Sequence, residues 1–150
     1  MKLYRISTPF VFTIFGASGD LAKVKIFPAL YSLAEQKRFP KEFYIFGYSR
    51  TSKDDRTFRE EVAKSIRQNS TVDEKVLREL LEHFFYFTGQ YDQEKDFQKF
   101  SQDILKKTQQ KQFENIHYLA VPPTAFASII HHLAQIRPVL GKSMKLIIEK

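Results

Sequence analysis

Gly16 and Gly19 follow an unbroken uncharged run, Phe10-Val-Phe-Thr-Ile-Phe15, and this junction constrains the chain more than any other stretch. A continuous apolar run of that length reads as a strand buried on both faces, as in the interior of a parallel sheet. Beyond the glycines, Leu21, Val24, Phe27 and Tyr31 recur at helical spacing and are expected on one side of a helix. A strand, a tight turn and a helix in that order aim unpaired backbone N–H groups and the positive helix end at an anion such as a phosphate. Glycine suits the turn because the absence of Cβ lets the chain bend sharply and a ligand approach the backbone.

The rest of the chain repeats the alternation. Four more apolar runs follow: Phe43–Tyr48, Phe84–Phe87, Ile116–Val121 and Leu146–Ile148. Between them lie amphipathic segments over 53–68 (Phe58, Val62, Ile66), 73–83 (Val76, Leu77, Leu80, Leu81), 93–110 (Phe97, Phe100, Ile104, Leu105) and 124–136 (Phe126, Ile129, Ile130, Leu133). Thr124 is the expected N-cap of the last. Strands alternating with helices imply right-handed crossovers, hence an α/β fold: a Rossmann-type, doubly wound, mainly parallel sheet with helices on both faces. The expected strand order is 3-2-1-4-5, with a ligand at the carboxyl edge where the order reverses. Pro28 falls inside the first helix and is expected to kink it. Pro122-Pro123 ends the fourth strand at the ligand edge. Residues 1–150 read as one domain, and stopping at Lys150 just after an uncovered fifth strand suggests the front of a longer protein.

Composition removes several classes of function. The chain has no cysteine, which excludes disulfides and thiolate chemistry and takes away the usual structural zinc ligands. No apolar run nears the roughly 20 residues of a membrane helix. The start, MKLYRISTPF, lacks the apolar core of a secretion signal, so the protein reads as cytoplasmic. Of the net charge of +7, residues 1–50 carry eight Lys/Arg against three Asp/Glu, which suits an anionic ligand beside the glycine turn or a solvated basic face. A nucleic-acid partner is the rival for such charge, but no helix-turn-helix, RNP or zinc pattern accompanies it.

The candidate loop is Gly16-Ala17-Ser18-Gly19-Asp20-Leu21-Ala22. Ser18 occupies the second glycine's place in G-x-G-x-x-G, leaving the looser G-x-x-G-x-x-A spacing, in which Ala22 is small enough for close helix–strand packing. A nucleophile elbow would need glycine at Asp20, which rules out that reading of Ser18. Asp20 would repel a phosphate, so it is expected to cap the loop or helix start while pointing away. The second strand ends Gly47-Tyr48-Ser49-Arg50-Thr51-Ser52-Lys53, with no acid until Asp54. An NAD site commonly carries an acid there for the ribose 2′-hydroxyl, whereas an arginine matches a 2′-phosphate. NADP is favoured, with Arg50 on the 2′-phosphate and Ser49 or Thr51 assisting; the alternative is an arginine in a polar loop. His83 and His117 read as partly buried and hydrogen-bonded, and the adjacent His131 and His132 diverge on a helix; no metal site is assigned.

The segments GASGDLAKVKIFPALYSL, FGYSR, FTGQYD, HYLAVPPTAF and IIEK together closely resemble the coenzyme-binding domain of the glucose-6-phosphate dehydrogenase family, from about Phe10 to Lys150. That resemblance implies oxidation of glucose 6-phosphate by hydride transfer to NADP, opening the oxidative pentose phosphate pathway. It implies that Gly16 to Lys23 form the dinucleotide loop and that Arg50 binds the 2′-phosphate. It places Tyr91, Pro122 and Phe126 at the coenzyme cleft, and makes Lys150 a contact to both substrate and coenzyme. Two departures stand out: Val24 where a second cation is usual, expected to pack on the helix's inner side, and Phe126 where some relatives have tyrosine. The family's histidine base and its substrate-phosphate groups lie beyond Lys150, as do most contacts of its homo-oligomer. The chain alone is therefore expected to be inactive. A non-catalytic dinucleotide sensor is the alternative.

Overall fold

Val11 and Phe15 point to one side of the first strand and Phe10 and Ile14 to the other, and all four are buried. That double burial is why the run carries no polar alternation. A computed structural model describes residues 4–141 and 143–149, with strands β1 (Phe10–Phe15), β2 (Phe43–Ser49), β3 (Phe84–Thr88), β4 (Glu114–Leu119) and β5 (Met144–Ile148). They form one sheet in the order β3-β2-β1-β4-β5, every neighbouring pair parallel. The expected doubly wound α/β fold is present. Helices α1 (Phe27–Glu35), α2 (Asp55–Asn69) and α3 (Glu74–Leu81) cover the face of Phe10, Ile14, Ile45 and Phe84. Helices α4 (Glu94–Thr108) and α5 (Phe126–Leu140) cover that of Val11, Phe15, Phe46 and Tyr48.

Local chemistry sets the helix starts. Asp54 accepts from the Thr57 amide at 2.7 Å at the head of α2, and Asp73 from the Lys75 amide at 3.0 Å at the head of α3. Such caps satisfy amides that have no partner inside the helix. No described helix is long and apolar enough to cross a membrane.

Pro28 lies inside an unbroken helical run over 20–35, directly after a π turn, Ala22–Ile26, in which the Phe27 amide donates to the Ala22 carbonyl; three other expectations need correction. Proline cannot donate to the carbonyl four residues back, and one residue inserted in the turn before it accommodates that loss. The same insertion rotates the helical face. Ala22 and Ile26 become the buried positions and Val24 is 57% exposed, instead of packing on the inner side. Thr124 is not an N-cap: a 3-10 turn, Pro123–Ala125, leads into α5, whose cap position, Ala125, has no side-chain bond. Finally, α5 runs beyond residue 136, through Pro138, to Leu140; a proline in the last turn removes little of the ladder.

The outer strand β5 leaves Leu146, Ile147 and Ile148 between 40% and 46% exposed. Lys150 lies outside the described residues.

Candidate functional site

In the β3-β2-β1-β4-β5 sheet the chain leaves β1 towards one face and enters β4 from the other, so the strands' carboxyl ends part between β1 and β4. The last bond across the gap runs from the Ala120 amide to the Phe15 carbonyl at 2.8 Å. Gly16 then turns away at φ +88°, its amide donating to the Tyr48 carbonyl at 2.9 Å. A Cβ on Gly16 would stand 2.3 Å from the Ala120 oxygen, so conformation and space both demand glycine.

The turn closes through the Gly19 amide to the Gly16 carbonyl at 3.0 Å, and the Lys23 amide reaches the Gly19 carbonyl at 3.3 Å. Among the described residues, the amides of Ser18, Asp20, Leu21 and Ala22 find no protein acceptor. Four free donors at the head of a helix make a ready cradle for an anion. Below them the loop is anchored. Ala17 is buried close to Gly47, where a Cβ would come within 2.9 Å of the Ala17 Cβ, Ala22 is fully buried, and Leu21 packs on the same core. The Lys23 carbonyl accepts from the Ser65 hydroxyl while the Lys23 side chain is exposed. Asp20 corrects the expectation of a cap: it is exposed and makes no side-chain hydrogen bond among the described residues.

Arg50, one residue past β2, is exposed and sets its guanidinium 5.6 Å from the centre of the Tyr91 ring. Tyr91 is held by the Ser128 hydroxyl, which donates to its carbonyl at 2.6 Å, and by stacking on Tyr48 at 5.9 Å. Burial pushes the Tyr91 phenol up, while hydrogen bonding with Ser49, the charge of Arg50 and the Gly16 backbone draw it down. Tyr91 is therefore a neighbour of both the Gly16 backbone and Arg50. Pro122 is exposed just past β4, and its carbonyl accepts from the Ala125 amide at 2.9 Å. Phe126 is half-buried and packs into the core of the α4/α5 layer.

One residue of the site was not singled out from the sequence. The Lys53 ammonium, its side chain only 8% exposed, donates to Ser18 Oγ at 3.2 Å and to Glu61 Oε2 at 2.7 Å. It also lies 5.2 Å from the centre of the Tyr86 ring. In sequence it is one polar residue in a polar loop, and only the packing of α2 beside the glycine turn reveals it.

The histidines, read from the sequence as structural, lie away from the glycine turn or within the core. His83 Nδ1 lies 2.9 Å from the Phe43 carbonyl and its ring stacks on Phe43, at the amino end of the sheet. His131 and His132 both contact Gln135 on α5. His117 corrects its expectation: it is completely buried, and among the described residues neither ring nitrogen has a hydrogen-bond partner. Beyond β5, Glu149 accepts from the Tyr118 hydroxyl and lies 3.5 Å from Lys25 Nζ.

Residues 13–150 match the family model described as glucose-6-phosphate dehydrogenase, NAD binding domain. A glucose-6-phosphate 1-dehydrogenase of Schizosaccharomyces pombe is 36% identical over 142 residues, which cover 91% of this chain and 28% of that protein. A chloroplastic glucose-6-phosphate 1-dehydrogenase of Nicotiana tabacum is 39% identical over 123 residues, 79% of this chain and 20% of that one. A solved glucose-6-phosphate dehydrogenase in complex with its substrate glucose-6-phosphate superposes with a TM-score of 0.82 at 28% identity, over 98% of this chain and 31% of that one. The chain thus spans less than a third of the length of the relatives it matches.

Proposed function

This chain belongs to the glucose-6-phosphate dehydrogenase family, through its dinucleotide-binding domain, and from there we propose that it holds NADP for the oxidation of glucose 6-phosphate. The observation that carries the reading is the free amides of Ser18, Asp20, Leu21 and Ala22 beyond β1, together with Arg50 held over Tyr91, a ring that also neighbours the Gly16 backbone. The residues fit the coenzyme. The amides and the helix end accept the pyrophosphate, and the absence of a Cβ at Gly19 lets it approach the backbone. Arg50 offers a planar fork to the 2′-phosphate, and Tyr91 keeps that fork at the cleft.

The chemistry that NADP supplies when bound is acceptance of a hydride. This chain's own part is to bind and orient, with Tyr91, Pro122 and Phe126 shaping the cleft wall. Lys150, by the family resemblance, reaches towards the sugar and the nicotinamide. None of the four histidines is offered as the base that takes the sugar's hydroxyl proton, because His83 is bonded at the opposite edge, His117 is sealed in the core, and His131 and His132 lie on α5. The 150-residue chain is accordingly read as a coenzyme-binding domain of a larger enzyme, inactive by itself.

Calorimetric titration of NADP and NAD into the chain and into Arg50→Ala tests this. NADP should bind more tightly than NAD, and the substitution should weaken NADP about tenfold or more, as loss of a charged hydrogen-bonding partner does, while changing NAD little. An unchanged NADP affinity in Arg50→Ala would remove Arg50 from the site. Binding of neither dinucleotide would overturn the reading itself.

A further inference from the structure

Among the described residues Lys53 is paired with one carboxylate, that of Glu61, yet its side chain is almost fully buried. Taking an ammonium out of water costs several kcal/mol, and a single ion pair seldom repays it. A lysine retained in such a place by stability alone would be poorly explained, since an apolar side chain of the same length could fill it. What the position provides is a charge behind the glycine turn. Lys53 Nζ lies 3.2 Å from Ser18 Oγ, and Ser18 is the residue whose amide is among the free donors of the cradle. Because a serine oxygen that accepts from an ammonium keeps its own hydrogen to give away, Lys53 fixes Ser18 as a donor. No acceptor for that hydrogen is found among the described residues. Arg50 stands off the opposite side of the same strand end, over Tyr91, whereas Lys53 packs near Tyr86. Two cations therefore flank the end of β2, one exposed and one buried.

We propose that Lys53 is a specificity-determining positioning residue for the 2′-phosphate of NADP: it acts through Ser18, which it orients as a hydrogen donor and whose donation its charge strengthens, while Glu61 neutralises part of that charge. This rests on the proposed dinucleotide site and adds to it a second cation, on the side of the strand away from Arg50. Glu61 is itself partly exposed, at 40%, so its carboxylate can turn to water when a phosphate draws on the ammonium. The pair is then a counter-ion arrangement in which charge is partly held back until an anion arrives.

The test is a set of titrations of NADP and NAD against the 150-residue chain and its Lys53→Met, Ser18→Ala, Lys53→Met/Ser18→Ala and Glu61→Gln variants, with circular dichroism to check folding. Lys53→Met should raise the Kd for NADP about tenfold and that for NAD less than about threefold, the signature of a lost charge-assisted contact. The double variant should be little worse than either single one, because the two side chains act as a unit. Glu61→Gln should bind NADP about threefold more tightly, since removing its charge unmasks the lysine. A structural ion pair would not produce that gain, and the substitution on a half-exposed side chain keeps the test open even where Lys53→Met folds poorly. Equal loss of NADP and NAD in Lys53→Met, or unchanged NADP affinity in both Lys53→Met and Glu61→Gln, would overturn the proposal and leave the dinucleotide site standing. Wild-type chain that binds neither dinucleotide would remove both together.

Discussion

His117 is the side chain whose surroundings suit it least. It lies in β4 directly opposite Thr13 of β1, completely buried, with both ring nitrogens unpartnered among the described residues; the Thr13 hydroxyl is likewise unpartnered. Burial pushes its pKa down to about 3, so the folded protein holds the neutral ring. The unfolded chain takes up a proton near the ordinary histidine value of about 6.5. Between these limits the unfolded state binds more protons than the folded one, so stability is full above about pH 6.5 and declines as the pH falls towards 3. From pH 7.5 to pH 5 this one residue should remove about 2 kcal/mol. His117→Phe cannot titrate, and Phe15 already lies 5.9 Å from the ring, so an aromatic replacement has a compatible neighbour. Urea unfolding of wild type and His117→Phe at the two pH values should show a decline that the variant lacks; parallel declines would mean that other groups set the acid limit.

At the scale of elements, the turn between β1 and the first helix separates two uses of glycine. Gly16 has φ +88° and no room for a Cβ beside Ala120, so Gly16→Ala should cost about 3 kcal/mol or more in unfolding free energy. Gly19 has ordinary φ, and a Cβ there would meet only the Gly16 oxygen, at 3.3 Å. Gly19→Ala should therefore stay within about 1 kcal/mol of wild type, yet place a methyl group where a pyrophosphate must approach, weakening NADP about tenfold. Urea unfolding and NADP titration of the two variants check the division, and a Gly19→Ala chain with unchanged NADP affinity would move the ligand off this turn. The alternation of strands and helices was legible because a buried parallel strand needs apolar residues on both faces, and right-handed crossovers then leave few strand orders. The π turn was not legible. Leu21, Val24, Phe27 and Tyr31 keep a regular helical spacing in sequence, and one inserted residue, invisible to any periodicity, turns Val24 outwards. Arg50 could be proposed from the sequence because it is adjacent to a strand end, while the pairing of Lys53 could not, because its partners Ser18 and Glu61 come from two other segments.

At the scale of the whole molecule, the net charge of +7 and the flanking of β2's end by Arg50 and Lys53 make that strand end an electrostatic target. The two cations differ in how salt reaches them. Arg50 is exposed, and at 0.1 M salt the screening length of about 10 Å is enough to weaken its attraction for a phosphate. Lys53 is shielded from solvent, so its effect through Ser18 should persist. NADP differs from NAD by one 2′-phosphate, carrying about −1.5 to −2 charge at neutral pH if it titrates as other phosphomonoesters do. Raising sodium chloride from about 50 to 300 mM should therefore weaken NADP several-fold and NAD distinctly less. In Arg50→Ala the two salt slopes should converge, while a residual preference for NADP survives at high salt and disappears only when Lys53 is also replaced by Met. Equal slopes for the two dinucleotides in the wild-type chain would place the extra phosphate in solvent, away from both cations.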